Sequence, residues 1–143
     1  MNFQFKDTKC GTSVFANNNK IYLQLDNCTC VKPIHSKKDK QWIISVKVPD
    51  DINDLIMKID TACRTYSGSK QFINSVYENT IDIKIPFRYR KYECTFIDKD
   101  NHRITSGDFE AGDSMSLNIE CQNLWSMNGF SGLLWRTNML KKM

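Results

Sequence analysis

Histidine is scarce in this chain. Its 143 residues hold two, His35 and His102, and both fall in polar stretches that read as turns, a poor setting for a general base. No glycine-rich phosphate loop, G-x-S-x-G elbow or H-E-x-x-H helix occurs, and nothing assembles a nucleophile with its base. These absences point away from an enzyme and toward a binding module that needs no cofactor. No run approaches the roughly 20 consecutive apolar residues of a membrane-spanning helix, and Met1 to Asp7 lacks the apolar core of a secretory signal. Neither a bilayer nor export is expected. Internal repeats, linkers and low-complexity tracts are also missing, so one domain over residues 1–143 is the expectation.

What is present is an ordinary globular balance, 41% hydrophobic and 25% charged, with enough length to bury a core without staples. The six cysteines, Cys10, Cys28, Cys30, Cys63, Cys94 and Cys121, include three at apolar positions of expected elements, where a thiol acts as a small hydrophobe. They read as reduced, in a cytosolic or nuclear compartment. Cys28-Thr29-Cys30 with His35 and Cys10 looks superficially like a zinc set, but the spacing fits no finger type, and ordinary thiols are the expectation. Asp98, Asp100 and the run Asp108 to Asp113 lack a glycine and a closing glutamate at the offsets a calcium loop requires and read as turn residues. No metal is expected.

The net charge of +4 is too small to demand a polyanion, but its distribution is uneven. Lys32 to Lys47 holds five lysines against Asp39, and Arg88, Arg90 and Lys91 form a second cluster. From Glu93 to Glu120 there are seven acids against Lys99 and Arg103.

Period-two alternation marks strands at Ile21–Leu25, at Trp42–Val48 and at Met115–Cys121. The polar, lysine-rich stretch from Asn27 to Lys40, with Pro33, reads as the long loop of a hairpin joining the first two. Helical spacing of Ile52, Leu55, Ile56, Ile59, Cys63 and Tyr66, with Asp50, Asp51 and Asp54 at its positive end, predicts a helix over residues 50–66, stopped by Ser67-Gly68-Ser69. Gln71 to Asn79 fits either a short helical turn or a strand. Asn128-Gly129 predicts a tight hairpin turn, followed by a last strand over about Ser131 to Leu140.

Ile81, Ile83, Ile85 and Phe87 share one parity, whereas Tyr92, Cys94 and Phe96 occupy the other. A slip of one residue flips the face a strand presents, so a bulge or sharp bend is expected between Phe87 and Lys91, next to Pro86. The order of strands, helix and strands predicts a mostly β, OB-fold-like five-stranded barrel with the helix between strands 3 and 4. A β-sandwich with one helix is the alternative.

The stretch Pro86-Phe87-Arg88-Tyr89-Arg90-Lys91-Tyr92 sets three cations among three aromatics at that bend. Single strands of nucleic acid are held by the same two means, cations on phosphates and flat rings under unstacked bases. The candidate contacts are Arg88, Tyr89, Arg90 and Lys91, the outward Tyr22, the lysines Lys37, Lys38, Lys40 and Lys47, Trp125 beside the hairpin turn, and Arg136 on the last strand. Phe87 and Tyr92 have core parity. The bland alternative is a solvated edge that blocks aggregation.

Phe87 to Cys94, together with the run from Gly112-Asp113 through Leu124-Trp125 to Gly129-Phe130-Ser131-Gly132-Leu133, resembles the single-stranded DNA-binding proteins of phages and large DNA viruses over about the last 60 residues. The resemblance implies an OB barrel whose basic and aromatic side chains hold a DNA strand without sequence preference, in DNA replication. Many such proteins end in an acidic tail that recruits partners. Here the closing run is Met139-Leu140-Lys141-Lys142-Met143, so the resemblance stops short of that route. The expected partner is single-stranded DNA, with RNA and self-association left open. The rival is a protein-interaction module without nucleic-acid affinity, using a strand edge or the Trp125 region.

Overall fold

The computed structural model describes residues 1–37 and 41–143. They form β1 (Phe3–Thr8), β2 (Gly11–Ala16), β3 (Asn19–Lys20), β4 (Tyr22–Lys37), β5 (Gln41–Lys47), α1 (Asp50–Ser67), β6 (Gln71–Ile73), β7 (Val76–Tyr77), β8 (Thr80–Ile85), β9 (Phe87–Arg88), β10 (Lys91–Tyr92), β11 (Thr95–Ile97), β12 (Ser114–Met127), β13 (Phe130–Arg136) and β14 (Met139–Lys142).

The length of β4 explains the architecture. Leu25 is buried, and so are Cys28 and Cys30, which have the opposite parity. The switch falls at Asn27, whose φ of 56° is left-handed, and the register against β12 slips there: Leu117 pairs with Leu25 but Met115 with Cys28. One extra residue in β4 is a bulge, and it turns the core face over without ending the strand. The expected polar connection from Asn27 to Lys40 is therefore corrected. The strand runs on to Lys37, which pairs with Gln41, so the hairpin has no long loop.

That length lets β4 pair twice. Its first half joins β12 and its second half joins β5; β5 then pairs with β8, β8 with β13 through the parallel pair Lys84 and Arg136, and β13 with β12. The five strands close into a ring. Tyr22, Glu120, Arg136, Lys84, Ile43 and His35 pair in succession around it and return to β4 far from the starting point, which is the stagger a small barrel requires.

The fold is thus mostly β with a single α-helix among the described residues, consistent with an OB-fold-like class. One expectation shifts. The helix lies between the second and third strands of the ring, β5 and β8, and not between the third and fourth. The N-terminal hairpin of β1 and β2 joins the sheet through Thr12 and Leu124 and stands outside the ring.

α1 starts after Pro49 with Asp50 and Asp51 at its positive end and stops at Gly68, whose φ of 60° favours glycine and whose N–H donates to the Arg64 carbonyl at 3.2 Å. Ile56, Ile59 and Cys63 enter the core with Leu25, Ile44, Ile83, Leu117 and Leu140. Asp60 enters with them. Its carboxylate accepts the Ser75 N–H at 2.7 Å and the Ser75 hydroxyl at 2.6 Å, and Trp135 Nε1 donates to that hydroxyl oxygen at 2.9 Å. Burial raises the Asp60 pKa against the pull of those bonds and of Arg64. Tyr66, expected on the buried face, is half exposed; its ring stacks on Phe5 at 4.0 Å and its hydroxyl donates to Asp7 at 3.1 Å.

The ambiguous stretch after α1 resolves into the short strands β6 and β7, and the single last strand divides into β13 and β14. The basic closing run is built into the sheet: β14 pairs with β11 and β12, and Leu140 is buried.

Candidate nucleic-acid interface

Pro86 ends β8 because a residue without an N–H cannot continue the ladder, and the chain leaves the barrel as the hairpin β9–β10. The expected bend is this hairpin. Tyr89 and Arg90 form its two-residue turn, with φ of 54° and 61°. Three other two-residue turns with both central φ positive, Asn17-Asn18, Glu78-Asn79 and Asn128-Gly129, each contain asparagine, which tolerates that region. Tyr89-Arg90 has neither asparagine nor glycine. Such a conformation costs on the order of 1 kcal/mol per residue and persists where the surroundings fix it.

The surroundings here are aromatic. Phe87 lies 5.1 Å from Tyr92 and 5.7 Å from Trp42, Tyr92 lies 5.8 Å from Phe96, and Phe96 lies 5.9 Å from the buried Phe109. Tilted and edge-on pairs of this kind each contribute about 0.5–1.5 kcal/mol. At the base, the Glu93 N–H donates to the Pro86 carbonyl at 2.7 Å. Phe87, given core parity in the sequence, is 43% exposed, because its half of the hairpin has left the barrel. Tyr89 at the tip is 84% exposed with the Arg88 guanidinium 5.2 Å from its ring centre.

Between the hairpin and the barrel wall runs a groove made of two adjoining clefts. The first, about 210 Å³, is lined by Tyr22, Pro86, Glu93, Glu120 and Arg136 among others. The second, about 170 Å³, shares Pro86, Glu93 and Arg136 and adds Lys84, Phe87, Arg88 and Gln122. Tyr22 is 62% exposed at one end. Cations in the groove are matched by acids: Arg88 Nε is 2.6 Å from Glu93, and Arg136 Nε and Nη2 lie 3.2 and 3.1 Å from Glu120 Oε2, with Lys20 3.7 Å from the other oxygen.

The groove therefore brings together Tyr22, Arg88 and Arg136 of the expected contacts, while Tyr89, Arg90 and Lys91 occupy the hairpin that walls it. Lys84 and Gln122, which alternation alone did not single out, join them; the pairing of Lys84 with Arg136 across the ring closure is the signal, and it exists only in three dimensions. Lys37 and Lys47 lie on the outer face of β4 and β5. Lys37 is ion-paired with Asp82, whose carboxylate also accepts the Ser45 hydroxyl at 2.5 Å. Burial opposes ionisation of Asp82, but the bonds from Lys37 and Ser45 and the charges of Lys37 and His35 outweigh it and lower its pKa. Trp125 lines neither cleft; its ring lies over Gly132, the residue paired with it on β13. Lys38 and Lys40 fall outside the described residues.

Burial pushes the Cys28 and Cys30 thiols up to about 11, helped by Asp26 and Asp113, so both stay protonated at neutral pH. The His35 ring nitrogen Nδ1 sits 2.8 Å from the Pro33 carbonyl. Asp98, Asp100 and His102 come together, and Asp98 Oδ1 closes that turn by accepting both following N–H groups at 2.9 Å. Among the described residues no helix is long and apolar enough to cross a membrane.

No protein-family model matches the sequence, and no curated protein matches it. Solved structures do. The single-stranded DNA-binding protein from bacteriophage Enc34 is similar with a TM-score of 0.63 at 12% identity, over 99% of this chain and 89% of that one. The same protein in complex with single-stranded DNA is similar with a TM-score of 0.60 at 12% identity, over 96% and 92%. This chain shares the fold of that phage single-stranded DNA-binding protein at low sequence identity.

Proposed function

We propose that this protein binds single-stranded DNA without catalysing a reaction on it, and that the strand lies in the groove beneath the β9–β10 hairpin. The observation that carries this is the convergence of Tyr22, Lys84, Arg88 and Arg136 on one groove. A ring at one end accepts a base, and Lys84 on the wall meets a phosphate, while Arg88 and Arg136 hold the carboxylates of Glu93 and Glu120 beside it. Tyr89, Arg90 and Lys91 extend the contact at the hairpin tip, and Lys37 and Lys47 offer a further basic surface. The likeness to a phage protein solved with single-stranded DNA supports the same reading.

Fluorescence anisotropy with a labelled single strand and its duplex, each at two salt concentrations, tests it. Salt-sensitive affinity in the micromolar range or tighter for the single strand, with weaker duplex binding, is expected; absence of affinity at low salt refutes it. An RNA strand of the same sequence settles the choice of sugar.

A second reading has its own observation. Ile73, Met127 and Phe130 are exposed where β6 runs beside β13 at the end of the sheet, an apolar edge suited to another protein. If that edge is the working surface, oligonucleotides fail to bind.

A further inference from the structure

We infer that the cleft beside Tyr22 seats one nucleobase by its amino edge and discriminates against thymine and uracil. This rests on the single-strand reading and sharpens it, since coating without base preference is what cations and stacking alone would give.

Size comes first. At about 210 Å³ the cleft falls below the roughly 300–1,000 Å³ of pockets that hold drug-sized ligands, which leaves room for a single base against the Tyr22 ring. Charge comes second. Two carboxylates, Glu93 on the hairpin side and Glu120 on the barrel side, line the same cleft, and acids repel phosphate. The strand's backbone is thus steered to the outer cations, and what enters the cleft is the base.

Hydrogen-bonding capacity decides which base. Arg136 uses Oε2 of Glu120, and Arg88 uses Oε1 of Glu93. Glu120 Oε1 has only Lys20 at 3.7 Å, beyond hydrogen-bond length, and Glu93 Oε2 has no partner among the described residues. Asn118 and Asn138 line the cleft too, exposed and with no side-chain hydrogen bond among the described residues. The free oxygens accept from an exocyclic amine, as carboxylates do from the amino group of cytosine. Uracil and thymine offer instead one N–H flanked by two carbonyl oxygens, which a carboxylate repels.

Labelled single strands of about 12 nucleotides, all deoxycytidine or all deoxyuridine, test this by anisotropy with the full chain. The two bases differ only at the edge in question, so stacking and phosphate contacts are held constant. The deoxycytidine strand should bind about 3- to 10-fold more tightly. In Glu93→Gln and Glu120→Gln the ratio should fall toward one while the deoxyuridine strand gains affinity, because a repulsive charge has gone. Glu93 stands on the exposed hairpin, so its variant keeps the test independent of barrel stability. Equal affinity of the wild-type protein for both strands overturns the base cleft and leaves single-strand binding intact, as does a preference that persists in both variants. Failure of both strands to bind at low salt overturns the single-strand reading itself.

Discussion

Truncating Tyr22 to alanine separates binding from stability more cleanly than any change among the cations. The ring is 62% exposed, and its hydroxyl donates no hydrogen bond among the described residues. Surface truncations of this kind shift folding stability by about 0.5 kcal/mol or less. If the ring carries a base, its removal forfeits about 1–3 kcal/mol of stacking, which is about a 5- to 150-fold rise in Kd. Tyr22→Phe should stay within about twofold, since stacking needs the face and not the hydroxyl. The control is Tyr77→Ala: Tyr77 is 78% exposed on β7 and lines neither cleft. Anisotropy at fixed salt gives the affinities, and thermal melts confirm that each variant is folded. Because tyrosine is uncharged, the salt slope should not move. A loss below about twofold in a folded Tyr22→Ala, or an equal loss in Tyr77→Ala, refutes the placement of a base on this ring.

Arg90→Asn removes a tip charge with a residue that tolerates φ of 61°, so it should weaken single-strand binding and flatten the salt slope by about 0.7 without loss of the fold; an unchanged slope excludes Arg90 from phosphate contact. Gly132→Ala would place a methyl 2.9 Å from Trp125 Cζ2 and 3.1 Å from Cε2, so the indole must move; a cost of about 1–3 kcal/mol and a shifted tryptophan emission are expected in urea titrations, and a neutral result means the ring swings away freely. For Asp60, the folded pKa lies above the unfolded 3.8, so its contribution to stability is most favourable below that value and is lost as pH rises through the folded pKa. Asp60→Asn should abolish that decline, seen as a difference between wild-type and variant urea midpoints from about pH 3 to about pH 7; parallel curves would show that Asp60 does not titrate in the fold.

How much of this was legible in sequence depended on where parity was kept. α1 announced itself because six apolar residues hold helical spacing and Gly68 ends it, and the boundary is off by one residue. Asn128-Gly129 is a turn as expected, with Met127 paired to Phe130. The slip after Phe87 was visible because apolar runs flank it on both sides. The slip at Asn27 was not, because the strand beyond it presents Lys32, Pro33 and His35 outward or at register shifts, and polar residues on a barrel's outer wall look like a loop. Missing that half of β4 hid the ring closure, and with it the nearness of Tyr22 to Arg136 and of Lys84 to Arg88. Four residues from four strands became one groove only through stagger, which no local pattern encodes.

Charge shows the same loss most sharply, and it fixes a number. Along the chain the acids from Glu93 to Glu120 stand apart from the basic clusters, yet in the fold Glu93 meets Arg88, Glu120 meets Arg136 and Lys20, and Asp113 meets Lys142. On the groove and its hairpin, the cations without an ion pair among the described residues are Lys84, Arg90 and Lys91. Each phosphate neutralised on a single strand contributes about −0.7 to the slope of log K against log salt, so three give about −2. If DNA instead displaced Glu93 and Glu120, Arg88 and Arg136 would each take a phosphate and the slope would steepen to about −3.5. Titrations from about 50 to about 300 mM salt distinguish the two. A slope near −2 means the acids keep their arginines and stay in the cleft as base readers, whereas one near −3.5 means they are only placeholders for phosphate, and the amino-edge cleft falls with them.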